Sequence, residues 1–402
     1  MTIYRYVGRT KTGELKKGRI DASTKKAAIA KLREQGINPR EIFESTSILD
    51  KELNILGSKV KNQDFVIYCR QFATLVRAGV PVVEATNILA RQTKSKPLKK
   101  ALEQVEEDIR KGISFSKATK KHPKVFPDLF VNMMVSAEAT GNLDTTLDKL
   151  ATTFEKQYHL KKKIQSSLTY PLVLLVLTIA VTIFMLVFIV PNFIEAFESM
   201  EAELPTITII TLKISEAMQK YWWIGLGVIA VALILFYYLY KKNEKFHYGV
   251  HYTLLKMPVL GPLLQKSVLA RMMSTLSSLF TSAVPILQCL GIVEKVIGNP
   301  VIGKVVKEAR NSLEKGSTLT EPLEKSWLFP PLVTSMVSIG EKTGTLDFML
   351  QKAAEFYEEE VDRTVNTLKS LIEPVMILFL AVIVGGIVAS IFLPMFSLYE
   401  QM

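Results

Sequence analysis

The sequence predicts an all-α membrane protein: two repeated cytoplasmic helical bundles, three transmembrane helices and a small N-terminal α/β unit. Three observations carry that reading. Three long stretches hold no charged residue. One block of sequence recurs after a near-constant shift of 203 or 204 positions. The first 46 residues alternate as strands do, and nothing after them does.

Residues 1–46 read as a separate cytoplasmic unit. YRYVGRTKTGELKKGRIDAS alternates as two short strands around the turn signal Lys11-Thr12-Gly13. TKKAAIAKLREQG reads as an amphipathic helix closed by Gly36, and INPREIFE fits a third strand. Residues 47–61 read as a linker. The opening is polar and lacks an apolar core of the signal-peptide kind, so export by cleavage is not expected. The only cysteines, Cys69 and Cys289, sit in no CxxC pair; they suit a reducing compartment and give no disulfide framework.

Residues 62–166 turn helical and form the first bundle. Gly79, Gly112 and Gly141 each follow a helical run, where a left-handed residue closes a helix. Pro81 and Pro97 fall where first helical turns accept proline. Charge then vanishes over 168–194, 222–240 and 374–397, each long enough for the roughly 20 residues that a membrane crossing needs. The assignment is therefore span one at 167–194, an external loop at 195–221, span two at 222–240, the second bundle at 241–369, span three at 370–397 and an external tail at 398–402. Lys156, Lys161, Lys162 and Lys163 precede the first span, and Lys241, Lys242 and Lys245 follow the second. The 195–221 loop is acidic. By the bias of basic residues to the cytoplasm, the N-terminus and both bundles face inward and the C-terminus outward.

Net charge is +12, with 49% hydrophobic residues and a mean hydropathy of +0.23. That balance points to a lipid bilayer rather than nucleic acid as the acidic partner. GNPVIGKV (298–305) imitates a phosphate loop but has Val305 where a magnesium-binding hydroxyl belongs, and reads as a turn with Asn299 capping and Pro300 opening a helix. His247 and His251 share a helix face without further ligands beside them. No charge lies inside a span, which argues against an ion or proton path. No enzyme activity, cofactor or metal is expected; a transporter or channel subunit is the competing reading, and it would need polar residues in the membrane.

The repeat pairs RQFATLVRAGVP (70–81) with STLSSLFTSAVP (274–285), Phe126-Pro127 with Phe329-Pro330, and EATGNLD (138–144) with EKTGTLD (341–347). It also pairs Tyr170-Pro171, opening the first span, with Glu373-Pro374, opening the third, and Pro191 with Pro394. The chain is thus a duplicated bundle-plus-span, with span two inserted to return it to the cytoplasm. Gly141 and Gly344 fit the left-handed corner between two helices, and Asn142 or Asp144 can cap the next one. Glu138 and Glu341 are not explained by the corner, because a carboxylate in a last turn opposes the helix dipole. Each is either an internal brace, reaching a basic group or the N-terminal amides of a neighbouring helix, or a contact with another protein. The copies differ in charge: FEKQYHLKKK (154–163) is basic and FYEEEVDRTV (356–365) acidic. Either both are solvated faces, or the first meets anionic headgroups and Glu358, Glu359, Glu360 and Asp362 meet a cationic partner. Pro171, Glu373, Pro374 and the small-residue face Gly385, Gly386 and Ala389 are candidates for packing within the membrane.

RQFATLVRAGVPVVEA, FPDLFVNMMVSAEATGNLD, the Tyr170-Pro171 opening and MPVLGPLLQK (257–266), taken in order, resemble the type II secretion system F family, which includes the inner-membrane platforms of type IV pilus machines. The 1–46 unit resembles the extension found on its pilus and secretion members. The resemblance implies a multi-pass protein of the cytoplasmic membrane at the base of a pilus or pseudopilus. It implies a hexameric assembly ATPase as cytoplasmic partner, contacts with pilin or pseudopilin spans and other inner-membrane assembly proteins, and a homo-oligomer. The second copy departs in having Ala283 for Gly79 and Glu373 for Tyr170, so the two copies need not bind the same partner.

Overall fold

The structure is a computed structural model that describes residues 2–10, 15–22, 24–34, 36–44, 60–193 and 205–401. The chain divides into two compact units, Met1–Val60 and Lys61–Met402.

The first unit is an antiparallel sheet of β1 (Thr2–Thr10), β2 (Leu15–Ala22) and β3 (Ile37–Glu44) in the order β2-β1-β3, with α1 (Lys25–Glu34) between the last two strands in sequence. Tyr4 and Tyr6, two apart on β1, meet Ala28 and Leu32 of α1 and Ile37 and Ile42 of β3 in one core. The β1–β3 register shifts between Val7 and Gly8. There a side chain at Gly8 would lie 2.8 Å from the Asn38 carbonyl oxygen, so the close approach requires glycine. The expected strand–strand–helix–strand order is observed; the turn at Lys11-Thr12-Gly13 and most of the linker lie outside the described residues.

The second unit is helical. Its first repeat comprises α2 (Asn62–Arg77), α3 (Val82–Gln92), α4 (Lys96–Arg110), α5 (Phe115–Lys120), α6 (Asp128–Thr140) and α7 (Leu143–Phe184), the last running on through a π-turn at Met185–Ile189. Two inserted helices follow, α8 (Thr206–Lys242) and α9 (Glu244–Lys256). The second repeat comprises α10 (Leu260–Phe280), α11 (Ile286–Val296), α12 (Pro300–Glu314), α13 (Thr320–Glu324), α14 (Pro331–Thr343) and α15 (Leu346–Gln401). Element by element, α2–α7 recur as α10–α15, as the constant sequence offset requires.

Among the described residues three helices are long and apolar enough to cross a membrane. Leu172, Leu177, Trp222, Leu233, Leu378 and Val382 are exposed along them, an apolar surface that water does not tolerate and lipid does. Two expected boundaries move. Residues 206–221 are helix rather than loop: Ile207, Ile210 and Ile214 recur at helical spacing, and the helix that carries span two starts sixteen residues earlier than the span. The tail joins α15, which runs to Gln401. Pro171 and Pro374 do not start helices. Each lies inside one continuous helix that begins in a bundle and ends in the membrane.

Candidate functional site

The repeated corners show what the glutamates do. α6 ends at Gly141 (φ 75°) and α14 at Gly344 (φ 70°), both left-handed, and the next helix starts two residues later. Asn142 occupies the cap position of α7 without a side-chain cap bond, so the closing geometry comes from the glycine. Glu138 reaches back to the first turn of α5, accepting from the Ser116 amide at 3.1 Å and from the Ser116 hydroxyl. Glu341 does the same at α13, accepting from the Leu319 amide (2.7 Å), the Thr320 amide (3.3 Å) and the Thr320 hydroxyl (2.8 Å). Each carboxylate thus leaves an unfavourable helix end for a favourable helix start. Charge-assisted bonds of this kind contribute about 1.5–3 kcal/mol each. Both glutamates are engaged inside their own bundle.

The acidic tract has partners in the chain as well. Glu358 meets Lys156 at 3.1 Å and Asp362 meets Lys163 at 2.7 Å, joining α15 to α7. Glu360 meets Lys266 of α10 at 2.9 Å, which holds its carboxyl below the usual range. Glu359, well exposed, pairs with Arg363 on its own helix. Beneath these pairs Leu263, Val361, Val365 and Leu368 are buried against Leu160 and Ile164. The opposite charges of the two copies therefore lie along a seam between the repeats. Lys156 and Lys163, both partly exposed, therefore have carboxylate partners within the chain. Polar contacts extend the seam: Ser136 donates to the Ser282 carbonyl at 2.5 Å, Lys149 to that of Thr281 at 3.0 Å, and Gln288 to the Asn132 side chain at 3.1 Å. The Thr153 and Ser278 hydroxyls lie 2.8 Å apart.

In the membrane the small-residue face of α15 is left open within the chain. A side chain at Gly385 or Gly386 would meet nothing within 4 Å. The contact is made one residue on and further along, by Ile387 and Ile391 of α15 against Leu186 and Val190. Gly386 instead forms part of the wall of an apolar groove of about 320 Å³ with Leu186, Ile210, Ile214 and Ile383. Ala389 is half-buried, and Glu373 is exposed at the membrane boundary.

Two hydroxyls, which sequence reasoning passed over, complete this region. Pro394 offers no N–H to the Ser390 carbonyl four residues before it, and Thr208 of α8 donates to that carbonyl at 2.7 Å. In the π-turn the Val190 amide bonds five residues back to Met185, so Pro191 stands where a donor to Leu186 belongs. Ser215 of α8 donates to the Leu186 carbonyl. Thr208 and Ser215 are seven residues apart, two turns on one face, and Pro191 and Pro394 are repeat counterparts. That spacing against the paired prolines was the signal available in sequence.

Asn299 caps α12 by accepting from the Val301 and Ile302 amides, with Pro300 at the first helical turn. The His247 and His251 rings lie 4.7 Å apart, with His251 bonded to the Tyr240 hydroxyl at 3.0 Å. Among the described residues no group of three or more His, Cys, Asp or Glu side chains is placed to hold a metal.

A family model described as "Type II secretion system (T2SS), protein F" matches residues 68–191 and again 272–394, and the model of its N-terminal domain matches residues 1–42. The double match coincides with the two repeats. The chain is 38% identical over 401 residues to the type IV pilus assembly protein PilC of Thermus thermophilus, covering 99% of this chain and 98% of that protein. It is 36% identical over 393 residues to the PilC of Myxococcus xanthus (97% and 93%). It is 29% identical over 408 residues to the type II secretion system protein F of Pseudomonas aeruginosa (100% and 99%).

Proposed function

This chain belongs to the type II secretion system protein F family, and we propose that it is the cytoplasmic-membrane platform of a type IV pilus or type II secretion machine. In this reading a hexameric assembly ATPase acts on its cytoplasmic bundles, and the platform passes that motion to pilin or pseudopilin subunits entering the fibre. The observation that carries it is mechanical. Each bundle shares one uninterrupted helix with its span, 51 residues in the first repeat and 56 in the second. At 1.5 Å per residue these rods are roughly 75 and 85 Å long, enough to cross the bilayer and reach deep into a bundle. The seam and the α8 hydroxyls tie the rods together on both levels, so displacement of one bundle moves its span. The N-terminus is cytoplasmic and the C-terminus external in this reading, on the strength of Lys156, Lys161, Lys162 and Lys163 before the first span and Lys241, Lys242 and Lys245 after the second.

Two measurements test it. The purified chain should hydrolyse no ATP alone, and should capture the assembly ATPase encoded with the pilins of its own cell through 62–166 or 241–369. Robust intrinsic hydrolysis, or full fibre assembly in cells lacking this chain, would overturn the proposal.

A further inference from the structure

The seam joins unlike faces. On the first bundle it uses α6 and the start of α7, through Asn132, Ser136 and Thr153. On the second it uses α10, the turn after it and the first turn of α11, through Ser278, Ser282 and Gln288. A contact between different faces of a repeated unit leaves one of each unused: the α6-like face of the second bundle and the α10-like face of the first.

Both unused faces are bare. Thr153 is 4% exposed in the seam, whereas its counterpart Phe356 is 40% exposed. Ser136 is half-covered, and its counterpart Ile339 is 48% exposed. Phe348, also on this face, is 52% exposed. On the other side Thr275 and Ser282 are buried, while their counterparts Gln71 and Ala78 are exposed. Ile67, Gln71, Thr74 and Ala78 form one stripe along α2 and its cap, with Ile67 47% exposed.

The chemistry of the bare faces is also informative. Where the covered face carries Asn132, Ser136 and Thr153, the bare one carries Ser335, Ile339 and Phe356. A face turned permanently to water would gain nothing from this exchange, since several exposed apolar side chains on one patch mark a binding surface.

We propose that a second copy of this chain docks head-to-tail on the second bundle, setting the α2 stripe of its first bundle against Ile339, Phe348 and Phe356. The intrachain seam supplies the template. Ser136 on Ser282 becomes Ile339 on Ala78 of the next copy, and Thr153 on Ser278 becomes Phe356 on Thr74. Apolar contact replaces the seam's hydrogen bonds at both positions. Because every copy must keep its spans in one bilayer, successive copies are related by rotation about the membrane normal, and the series closes into a ring.

The test is disulfide trapping of the full-length chain in membranes. One chain carries Ile339→Cys, and a second, differently tagged, carries Ala78→Cys. A chain carrying both Ser136→Cys and Ser282→Cys is the internal positive control. Cys69 and Cys289 are buried, with the Cys289 thiol pushed up to about 12 by burial, so the unsubstituted chain is the negative control. Oxidation should yield a covalent dimer bearing both tags, and neither single variant alone should give one. A second variant, Ile339→Glu with Phe356→Glu, should reduce the detergent-solubilised particle to a single chain without lowering its unfolding temperature. The proposal is overturned if the control links internally but no two-tag product forms. Linkage of Ile339→Cys to itself would indicate a like-with-like dimer and overturn it equally, as would its linkage to a different protein or to a site within the same chain.

Discussion

The two repeats agree at their corners and differ where they face one another. Gly141 and Gly344 have nearly the same backbone conformation, and Glu138 and Glu341 reach equivalent helix starts at Ser116 and Thr320. Around that shared skeleton the cores have diverged. The first bundle is built on stacked and edge-on aromatics, with Tyr68, Phe72, Phe115 and Phe130 buried together, whereas Leu269, Met272 and Leu276 fill the matching region of the second. Hydrophobic cores accept such exchanges when volume is kept, but a corner has one backbone solution and a partly buried carboxylate needs its donors. The seam diverged in charge and polarity. It is the one region where two copies of a sequence must become complementary rather than alike.

The largest effect is expected at the corners, and it separates skeleton from partner. Glu341→Gln should lower stability by about 1–3 kcal/mol through loss of charge-assisted bonds. Glu138→Gln should cost less, since it accepts from one residue where Glu341 accepts from two. Thermal unfolding in detergent and the amount of chain in membranes report this. Unchanged stability in both variants, with fibre assembly lost, would move the glutamates from bracing to partner contact.

A smaller effect separates the two spans. Thr208→Val leaves the Ser390 carbonyl without its donor in hydrocarbon, and Ser215→Ala does so for Leu186. Interhelical hydroxyl bonds in membranes contribute about 0.6–1.7 kcal/mol. If the vacancy left by proline is the reason, Pro394→Ala should abolish the cost of Thr208→Val, because alanine restores an N–H to Ser390. Pro191→Ala should do the same for Ser215→Ala. Equal costs with and without the prolines would show that the hydroxyls act through packing alone.

How much of this could be read from the chain follows the range of the forces involved. The spans, the corners and the Asn299 cap were legible because hydropathy, left-handed glycine and capping are local. The helix over 206–221 was not legible, because Thr208 and Ser215 look like loop residues until Pro394 and Pro191 give them something to bond. Gly385 and Gly386 mark a small-residue face, while the contact within the chain is made by Ile387 and Ile391; small-residue spacing names a helix face without saying what faces it. The tract 358–362 was seen as acidic and its counterpart as basic, but their pairing depends on how α7 lies against α15, which no local pattern encodes.

The seam charges give the smallest effect and the cleanest test of complementarity. Lys163–Asp362 and Lys156–Glu358 are partly solvated pairs, so each contributes about 0.2–1 kcal/mol and weakens with salt. Asp362→Lys places two cations together above Val361 and Val365 and should destabilise the chain modestly. Lys163→Glu should do likewise, and the two together should restore most of the loss, because the swap rebuilds the pair with its sense reversed. A double-mutant cycle on unfolding temperature at low and high salt reads the coupling directly. Additive losses in the double variant would mean that the charges of the two repeats diverged independently. Recovery at low salt that fades at high salt would mean that they diverged against each other.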